Sequence, residues 1–353
     1  MSEAVAPLAG IMAPSSPLAP AKGAALVRAW LLVIAVMVYA TILVGGATRL
    51  TDSGLSITEW KPLLGAFPPM SEAAWAEAFA KYQSMTAQYH QVNPSMDLSG
   101  FKGIYWWEWS HRELGRTIGV VFALPLIFFW ATGRTTKKLL PHLLILFALG
   151  GLQGLIGWWM VSSGVESDLV SVAPYRLMMH FSLALLIIAY CFWLWLELGS
   201  TRRPLPASAS RWTNVLIWIV AIQMALGALV AGLDAGRGYT DWPLMSGDFV
   251  PKAIFALDPW WKNFFENEAT TQFLHRMTAY TLLGVAIIAA IRFRASHWSL
   301  FLLFAGLVTA QALLGIVTLI NAAPLDMSLT HQALGTVVLL AATRLVWTAR
   351  STN

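Results

Sequence analysis

The chain has 353 residues, of which 57% are apolar and only 12% are charged. With a mean hydropathy of +0.62, this balance excludes an ordinary soluble domain, in which about 25% of the residues are charged. The net charge of +5 does not indicate nucleic acid binding, because Lys and Arg lie between apolar runs and form no basic stripe, and a single cysteine, Cys191, excludes an intrachain disulfide.

Eight apolar segments follow an N-terminal tail. Residues 1–25 are rich in Ala, Pro and Ser and lack the pattern of a signal peptide, so we predict a disordered cytoplasmic tail. A helix that crosses a membrane needs about 20 mostly apolar residues. Segments that meet this requirement lie at 27–46, 106–132, 139–161, 175–198, 212–232, 271–291, 298–320 and 327–347.

The charges between these segments predict their orientation. The short links after the second, fourth and sixth segments contain Lys or Arg and no acidic residue. Because cytoplasmic loops carry the excess of Lys and Arg, both termini and these links are predicted to be cytoplasmic. The long connections 47–105 and 233–270 then face the periplasm. The predicted fold is an all-α membrane protein with eight transmembrane helices.

Each long connection is predicted to contain an interfacial helix. In the first, Ser71 is a candidate N-cap before Trp75, and the aromatic residues that follow recur at helical spacing. In the second, Asp258 and Pro259 resemble an N-cap and first turn before Trp260. These helices are either plain surface helices or lids over a lipid-accessible site.

The two halves of the chain repeat one another. A Gly-containing apolar motif with a following Thr-acid-Trp motif, a His-Arg pair and a Gln-x-x-x-Gly motif recur in the same order. They lie at 43–46, 58–65, 111–112 and 153–157 in the first half, and at 229–232, 240–247, 275–276 and 311–315 in the second. We therefore predict two duplicated four-helix bundles, over residues 26–200 and 211–348.

Four of the seven histidines occupy matching places, in the first turns of the even-numbered segments. These are His111, His180, His275 and His331. Polar residues inside a membrane are costly and tend to serve function. Heme iron takes two axial ligands on opposite faces of a flat ring, which suits two facing helices, whereas zinc usually needs a closed set of four ligands. The pattern favours one heme in each half, with metal-only or structural roles left open. The other three, His90, His142 and His297, are interpreted as interfacial or solvated.

The residues around these histidines differ between the halves. Arg112 and Arg276 follow a histidine in each half and could pair with heme propionates or with phospholipid head groups. Glu108 shares a helix face with His111, whereas Gln272 stands at the matching place in the second half. Glu108 is either an interfacial acid or a group that exchanges protons beside a heme. The second interpretation predicts chemistry in the first half and electron storage in the second.

The sequence from residue 27 to 347 resembles the heme A synthase family, in its cysteine-free proteobacterial and mitochondrial branch. The resemblance rests on residues 45–62 with Pro68-Pro69, and on 108–112, 153–158 and 330–332. It implies oxidation of the ring methyl of heme O to the formyl group of heme A for terminal oxidases. It also implies that His275 and His331 bind the iron of a resident heme b, that His111 and His180 bind the iron of the substrate heme, and that Glu108 is an acid at the substrate site.

The same resemblance implies a location and partners. The location is the bacterial inner (plasma) membrane, with the heme sites toward the periplasm. The implied partners are heme O, membrane lipid, an electron donor and heme O synthase, while a homo-oligomer is left open and nucleic acid is not expected. Two other functions use similar residues: a diheme b-type, quinol-oxidising cytochrome, and a transporter, which would place its polar groups nearer the membrane midplane.

Overall fold

The computed structural model describes residues 18, 23–62, 64–199 and 205–350. Most of the predicted N-terminal tail lies outside the described residues, as does the side chain of His297. The part of the chain that is described contains no β-strand, which confirms the all-α prediction.

Eight helices of the described residues are long and apolar enough to cross a membrane, as the sequence predicts. We call them spans 1 to 8. In chain order they are Ala24–Leu50, Leu98–Ala131, Leu139–Val165, Pro174–Glu197, Ala207–Gly232, Glu268–Arg292, Arg294–Ile320 and Leu325–Ala349. Shorter helical pieces lie in the connections, at Leu64–Ala66, Glu72–Met85, Ala87–Gln91, Ala235–Gly238, Trp260–Lys262 and Asn263–Glu266.

Span 2 begins earlier than hydropathy indicates. It starts at Leu98 instead of residue 106, and the side chain of Asp97 caps it by accepting a hydrogen bond from the N–H of Gly100, at 2.8 Å. Two aromatic residues of its first two turns, Phe101 and Tyr105, are buried by protein. His111 consequently lies several turns inside the helix, and the prediction that it occupies the first turns of its helix is wrong.

Both predicted outer helices are present, the second as a short 3₁₀ turn followed by one α-helical turn over residues 260–266. Ser71 caps helix Glu72–Met85 by accepting a hydrogen bond from the N–H of Ala74, at 3.2 Å. Trp75 of this helix packs against Tyr105 of span 2, with ring centroids 4.9 Å apart. In the second connection the N-cap of the short 3₁₀ helix is Pro259, and no side chain caps it, so the prediction of Asp258 as N-cap is wrong.

The spans pack in two cycles of four. Span 1 contacts span 2, span 2 contacts span 3, span 3 contacts span 4, and span 4 returns to span 1; spans 5 to 8 follow the same order. The two cycles meet where spans 1 and 4 contact spans 5 and 8. This packing is the one expected of two four-helix bundles. The domain boundaries at 26–200 and 211–348 stay predictions.

Two polar ties join the cycles near the predicted outer face. Arg49 at the end of span 1 is bonded to Asp234, which follows span 5, at 2.5 Å. Gln332 of span 8 donates a hydrogen bond to the carbonyl oxygen of Ile42 in span 1, at 2.8 Å. The side-chain oxygen of Gln332 occupies the space that a Cβ atom at Gly46 would need. Glycine at position 46 therefore permits the contact between the two cycles.

We expect Gly46→Ala to displace Gln332 and to break its hydrogen bond to span 1, at a cost of about 1 kcal/mol in folding free energy. Thermal unfolding of the purified chain in detergent measures this as a lower midpoint. The matched control is Gly119→Ala in span 2, where no described atom lies within 4 Å of the added Cβ. Equal midpoints for the two variants would contradict the role assigned to Gly46.

Candidate functional site

The first pair of predicted histidines meets inside the first cycle of helices. His111 of span 2 and His180 of span 4 face each other, with ring centroids 6.3 Å apart and ring planes at 79°. Metal–nitrogen bonds are about 2 Å long, so one metal atom bound to a nitrogen of each ring fits between them. The second cycle places His275 on span 6 and His331 on span 8, the positions that correspond in the repeat.

A glycine on the preceding span lies beneath each of the four imidazole rings. The contacts join Gly45 to His111, Gly157 to His180, Gly227 to His275 and Gly315 to His331. A Cβ atom on the glycine would stand only 2.8, 2.8, 3.1 and 2.8 Å, respectively, from the nearest ring atom. The rings can approach the neighbouring helix this closely only because the glycines have no side chain. We call each such pair a glycine seat.

A glutamine accompanies three of these seats, four residues before the glycine. The Nε2 atoms of glutamine and histidine are 3.3 Å apart in each case. The three pairs are Gln153 with His180, Gln223 with His275, and Gln311 with His331. The motif at 223–227 in span 5 escaped the sequence analysis, although the same Gln-x-x-x-Gly spacing is visible there. The matching residue in span 1 is Thr41.

Unpaired polar atoms collect at the same three places. Within the described residues, no hydrogen-bond partner reaches the buried Nδ1 atoms of His180, His275 and His331 or the buried Oε1 atoms of Gln153, Gln223 and Gln311. Buried polar atoms of this kind usually have a hydrogen-bond partner, so the lack of partners here points to a ligand or to a rearrangement when a ligand binds. A histidine that binds metal through one nitrogen donates its other N–H to an acceptor, and a glutamine oxygen is suitable.

The donor set fits heme better than a closed metal site. In the described part of the chain, no three His, Cys, Asp or Glu side chains come together in a way that could hold a metal ion. Pairs of imidazoles on facing helices in an apolar bundle provide the two axial ligands that heme iron takes. Two observations support heme at these sites: the buried histidine nitrogens without a hydrogen-bond partner and the glycine seats.

The two arginines after the histidines hold the outer loops. Arg112 donates to the carbonyl oxygens of Ile57 and Glu59, at 2.7 and 3.1 Å. Arg276 donates to the carbonyl oxygens of Tyr239 and Asp241, at 3.1 and 3.0 Å. In each half one acceptor is the acidic residue of the repeated Thr-acid-Trp motif and the other lies two residues earlier, so the duplication extends to the contacts of each arginine.

The charge around the two arginines differs. Arg112 forms an ion pair with Glu108, at 2.5 Å, whereas Arg276 bonds to the neutral Gln272, at 3.1 Å. The Nε atom of Arg276 is buried and has no hydrogen-bond partner in the described residues. Backbone N–H groups of the outer loop, and the nearby charge of Arg276, keep the pKa of Asp241 below its ordinary value.

Glu108 is only 2% exposed and fully engaged. One of its oxygens accepts hydrogen bonds from the Ser56 hydroxyl and the Ile57 N–H, at 2.7 and 2.8 Å. The other oxygen accepts the two bonds from Arg112. Glu108 therefore joins the first outer loop to the helix that carries His111, a structural contact that the sequence analysis did not foresee.

The remaining histidines lie away from the facing pairs. His90 is exposed in the first outer connection. His142 of span 3 is hydrogen-bonded to the hydroxyl of Tyr190 in span 4, at 2.6 Å between Nδ1 and the oxygen. This contact gives His142 a structural partner, while its interfacial or solvated position stays a prediction.

Comparison with known proteins matches this architecture to one family. The family described as cytochrome oxidase assembly protein matches residues 28–343. A heme A synthase of Hyphomonas neptunium is 54% identical over 327 residues, which cover 92% of this chain and 93% of that protein. The heme A synthases of a Chelativorans species and of Brucella ovis are 50% and 48% identical, over 89% of this chain and 88% and 89% of theirs. The chain therefore belongs to the heme A synthase family of cytochrome oxidase assembly proteins.

Proposed function

We propose that this chain is a heme A synthase, an oxidoreductase that converts the ring methyl of heme O to the formyl group of heme A. The observation that carries the proposal is the repeated glycine seat, which gives each half of the molecule one pair of imidazoles able to bind a heme iron. The identity of about half of the residues to proteins named heme A synthase supports the reaction.

The assignment of the two sites follows from their asymmetry. His275 and His331 would hold a resident heme b, because a glutamine accompanies both imidazoles. Arg276 supports this assignment, since its buried Nε is available to a heme propionate. His111 and His180 would hold the substrate heme, beside the carboxylate of Glu108. The propionate role predicted for Arg112 stays a prediction, because four hydrogen bonds already bind it to Glu108 and the loop.

The protein residues position the substrate and complement its charge. Conversion of the methyl to a formyl group removes electrons from the carbon and adds an oxygen atom, so it needs an external oxidant such as molecular oxygen. A bound heme b would supply the electrons that activate this oxidant, one at a time. Glu108, one helical turn before His111, forms an ion pair with Arg112, and the carboxylate of this pair would stabilise positive charge that develops near the ring methyl. The hydrogen bonds from Ser56, Ile57 and Arg112 fix the position of this carboxylate. The outer loop that these bonds hold in place would help to keep water from the substrate pair.

The eight apolar helices make the chain a multi-pass membrane protein. The proposed location is the bacterial inner membrane, and the basic links favour an orientation with the histidine pairs toward the periplasm, by the positive-inside rule. Heme O would reach the site from the lipid or directly from a heme O synthase. An electron donor and this synthase are the proposed partners, and a homo-oligomer is an additional proposal.

Heme analysis tests the reaction directly. We expect cells that make heme O and express the chain to contain heme A, whereas cells that express His111→Ala should contain none, because the substrate loses one of its two ligands. Extracted hemes are identified by liquid chromatography with mass detection. The matched control is His90→Ala, which changes an exposed histidine outside both pairs. Unchanged heme O with wild-type protein would favour the diheme electron-transfer cytochrome.

The charge of Glu108 can be tested separately from its hydrogen bonds. Glu108→Gln copies the residue that bonds to Arg276 in the second half, so we expect the variant to fold. Its heme A yield should fall about 100-fold, the order of magnitude that a positioned acid or base contributes. Gln272→Glu is the matched control and should keep heme A synthesis. A normal yield from Glu108→Gln would show that the carboxylate is only structural.

The glycine seats predict site-specific loss of heme. Gly315→Ala places a Cβ 2.8 Å from the ring of His331, and Gly45→Ala places one 2.8 Å from the ring of His111. We expect Gly315→Ala to purify with less resident heme, and Gly45→Ala to keep that heme while losing heme A synthesis. The absorbance of heme per protein in each variant measures this, with Gly119→Ala as the control. Full heme content and activity in both variants would contradict the importance of the seats.

A further inference from the structure

The four glycine seats differ in one respect. Glutamine stands four residues before the glycine at His180, His275 and His331, and threonine stands there at His111. Three imidazoles consequently have an amide beside the ring, and one does not.

Two of the three glutamines contact their histidines at more than one point. Besides lying 3.3 Å from Nε2, the Nε2 atom of Gln153 donates to the backbone carbonyl oxygen of His180, at 3.0 Å. Gln311 makes the same contact with His331, at 2.9 Å. The amide therefore bridges the ring and the helix that carries it. A bridge of this kind resists rotation of the imidazole.

The unpaired atoms indicate what the amide does once a metal is bound. When iron takes one ring nitrogen, the other must carry a hydrogen and needs an acceptor. Each of the three glutamines has a buried Oε1 without a partner in the described residues, and each of the three histidines has a buried Nδ1 in the same condition. The Nε2 of the amide now faces the Nε2 of the ring, so the amide has to rearrange when iron binds the other ring nitrogen. A 180° flip would put Oε1 3.3 Å from the ring Nε2, as the acceptor of its N–H, in exchange for the contact with the backbone carbonyl oxygen.

His111 has no such partner. Among the described residues, no hydrogen bond to its ring is formed, and on span 1 the ring lies against Gly45. The hydroxyl of Thr41 is already committed, since it donates to the carbonyl oxygen of Met37 at 2.8 Å. The side chain of Thr41 carries no amide group and is shorter than that of glutamine.

We propose that Gln153, Gln223 and Gln311 are positioning residues that fix their imidazoles on iron, and that Thr41 leaves His111 as the one ligand able to dissociate. This inference rests on the proposed function, because it presumes a heme between each pair of histidines. Iron with two bound imidazoles has no position for a third ligand. Ligand exchange is therefore confined to the substrate site, while the resident heme stays closed to small molecules.

Carbon monoxide binding tests this division. CO binds to reduced heme only where an axial position opens, so it reports dissociation of a histidine independently of catalysis. The full chain is purified with its hemes from cells that make heme B and heme O, reduced with dithionite and titrated with CO while absorbance is recorded. We expect the substrate heme of the wild type to bind CO and the resident heme not to bind it.

Two reciprocal substitutions identify the cause. Thr41→Gln should weaken CO binding at the substrate heme about fivefold, the effect of one added hydrogen bond. Thr41→Ser, which adds no amide, is the control and should bind CO like the wild type. Gln223→Thr should make the resident heme bind CO, and Gln311→Thr should do the same if the first variant does not fold.

The outcomes separate this inference from the proposed function. Purified chain without heme would overturn both. Heme-containing chain in which both hemes bind CO equally, or in which Thr41→Gln binds CO like Thr41→Ser, would overturn the role of the glutamines alone. Weaker binding in Thr41→Gln together with new binding in Gln223→Thr would establish it.

Discussion

The contact between an imidazole ring and a glycine of the neighbouring helix is the constraint on which the rest of the structure depends. It occurs four times and sets how closely the even-numbered spans approach the odd-numbered ones. Small residues permit such approach between membrane helices, where packing replaces the hydrophobic effect as the force that joins them. The same contact fixes the position of each imidazole ring, so helix packing and ligand geometry have one origin.

The duplication provides a common frame, and a few substitutions give the halves different properties. In both halves the arginine after the histidine binds carbonyl oxygens of the Thr-acid-Trp loop. The arginine of the first half is neutralised by Glu108, and that of the second half is bonded to the neutral Gln272. Thr41 in place of glutamine adds a second difference. Both lie beside the pair that includes His111, which the proposed function assigns to the substrate.

The sequence predicts those features that depend on composition and spacing. Spans were found because about 20 apolar residues are needed to cross a membrane, and the repeat was found because its motifs keep their order. The start of span 2 was missed because residues 98–105 include Ser, Gly and Lys and are not apolar enough to indicate a membrane segment. This part of the helix packs against another helix of the protein through Phe101. The partners of Arg112 are backbone carbonyls of a distant loop, which no side-chain pattern reveals. The prediction of Asp258 as N-cap was wrong because the helix begins one residue later, after Pro259, and no side chain caps it.

The central claim is that each half of the chain binds one heme iron between two seated imidazoles. An experimental density map of the full chain in a lipid nanodisc, prepared with its resident heme and with heme O added, tests it most directly. The account predicts one iron between His275 and His331 and a second between His111 and His180. A single iron shared between the halves, or irons bound away from these four rings, would contradict it.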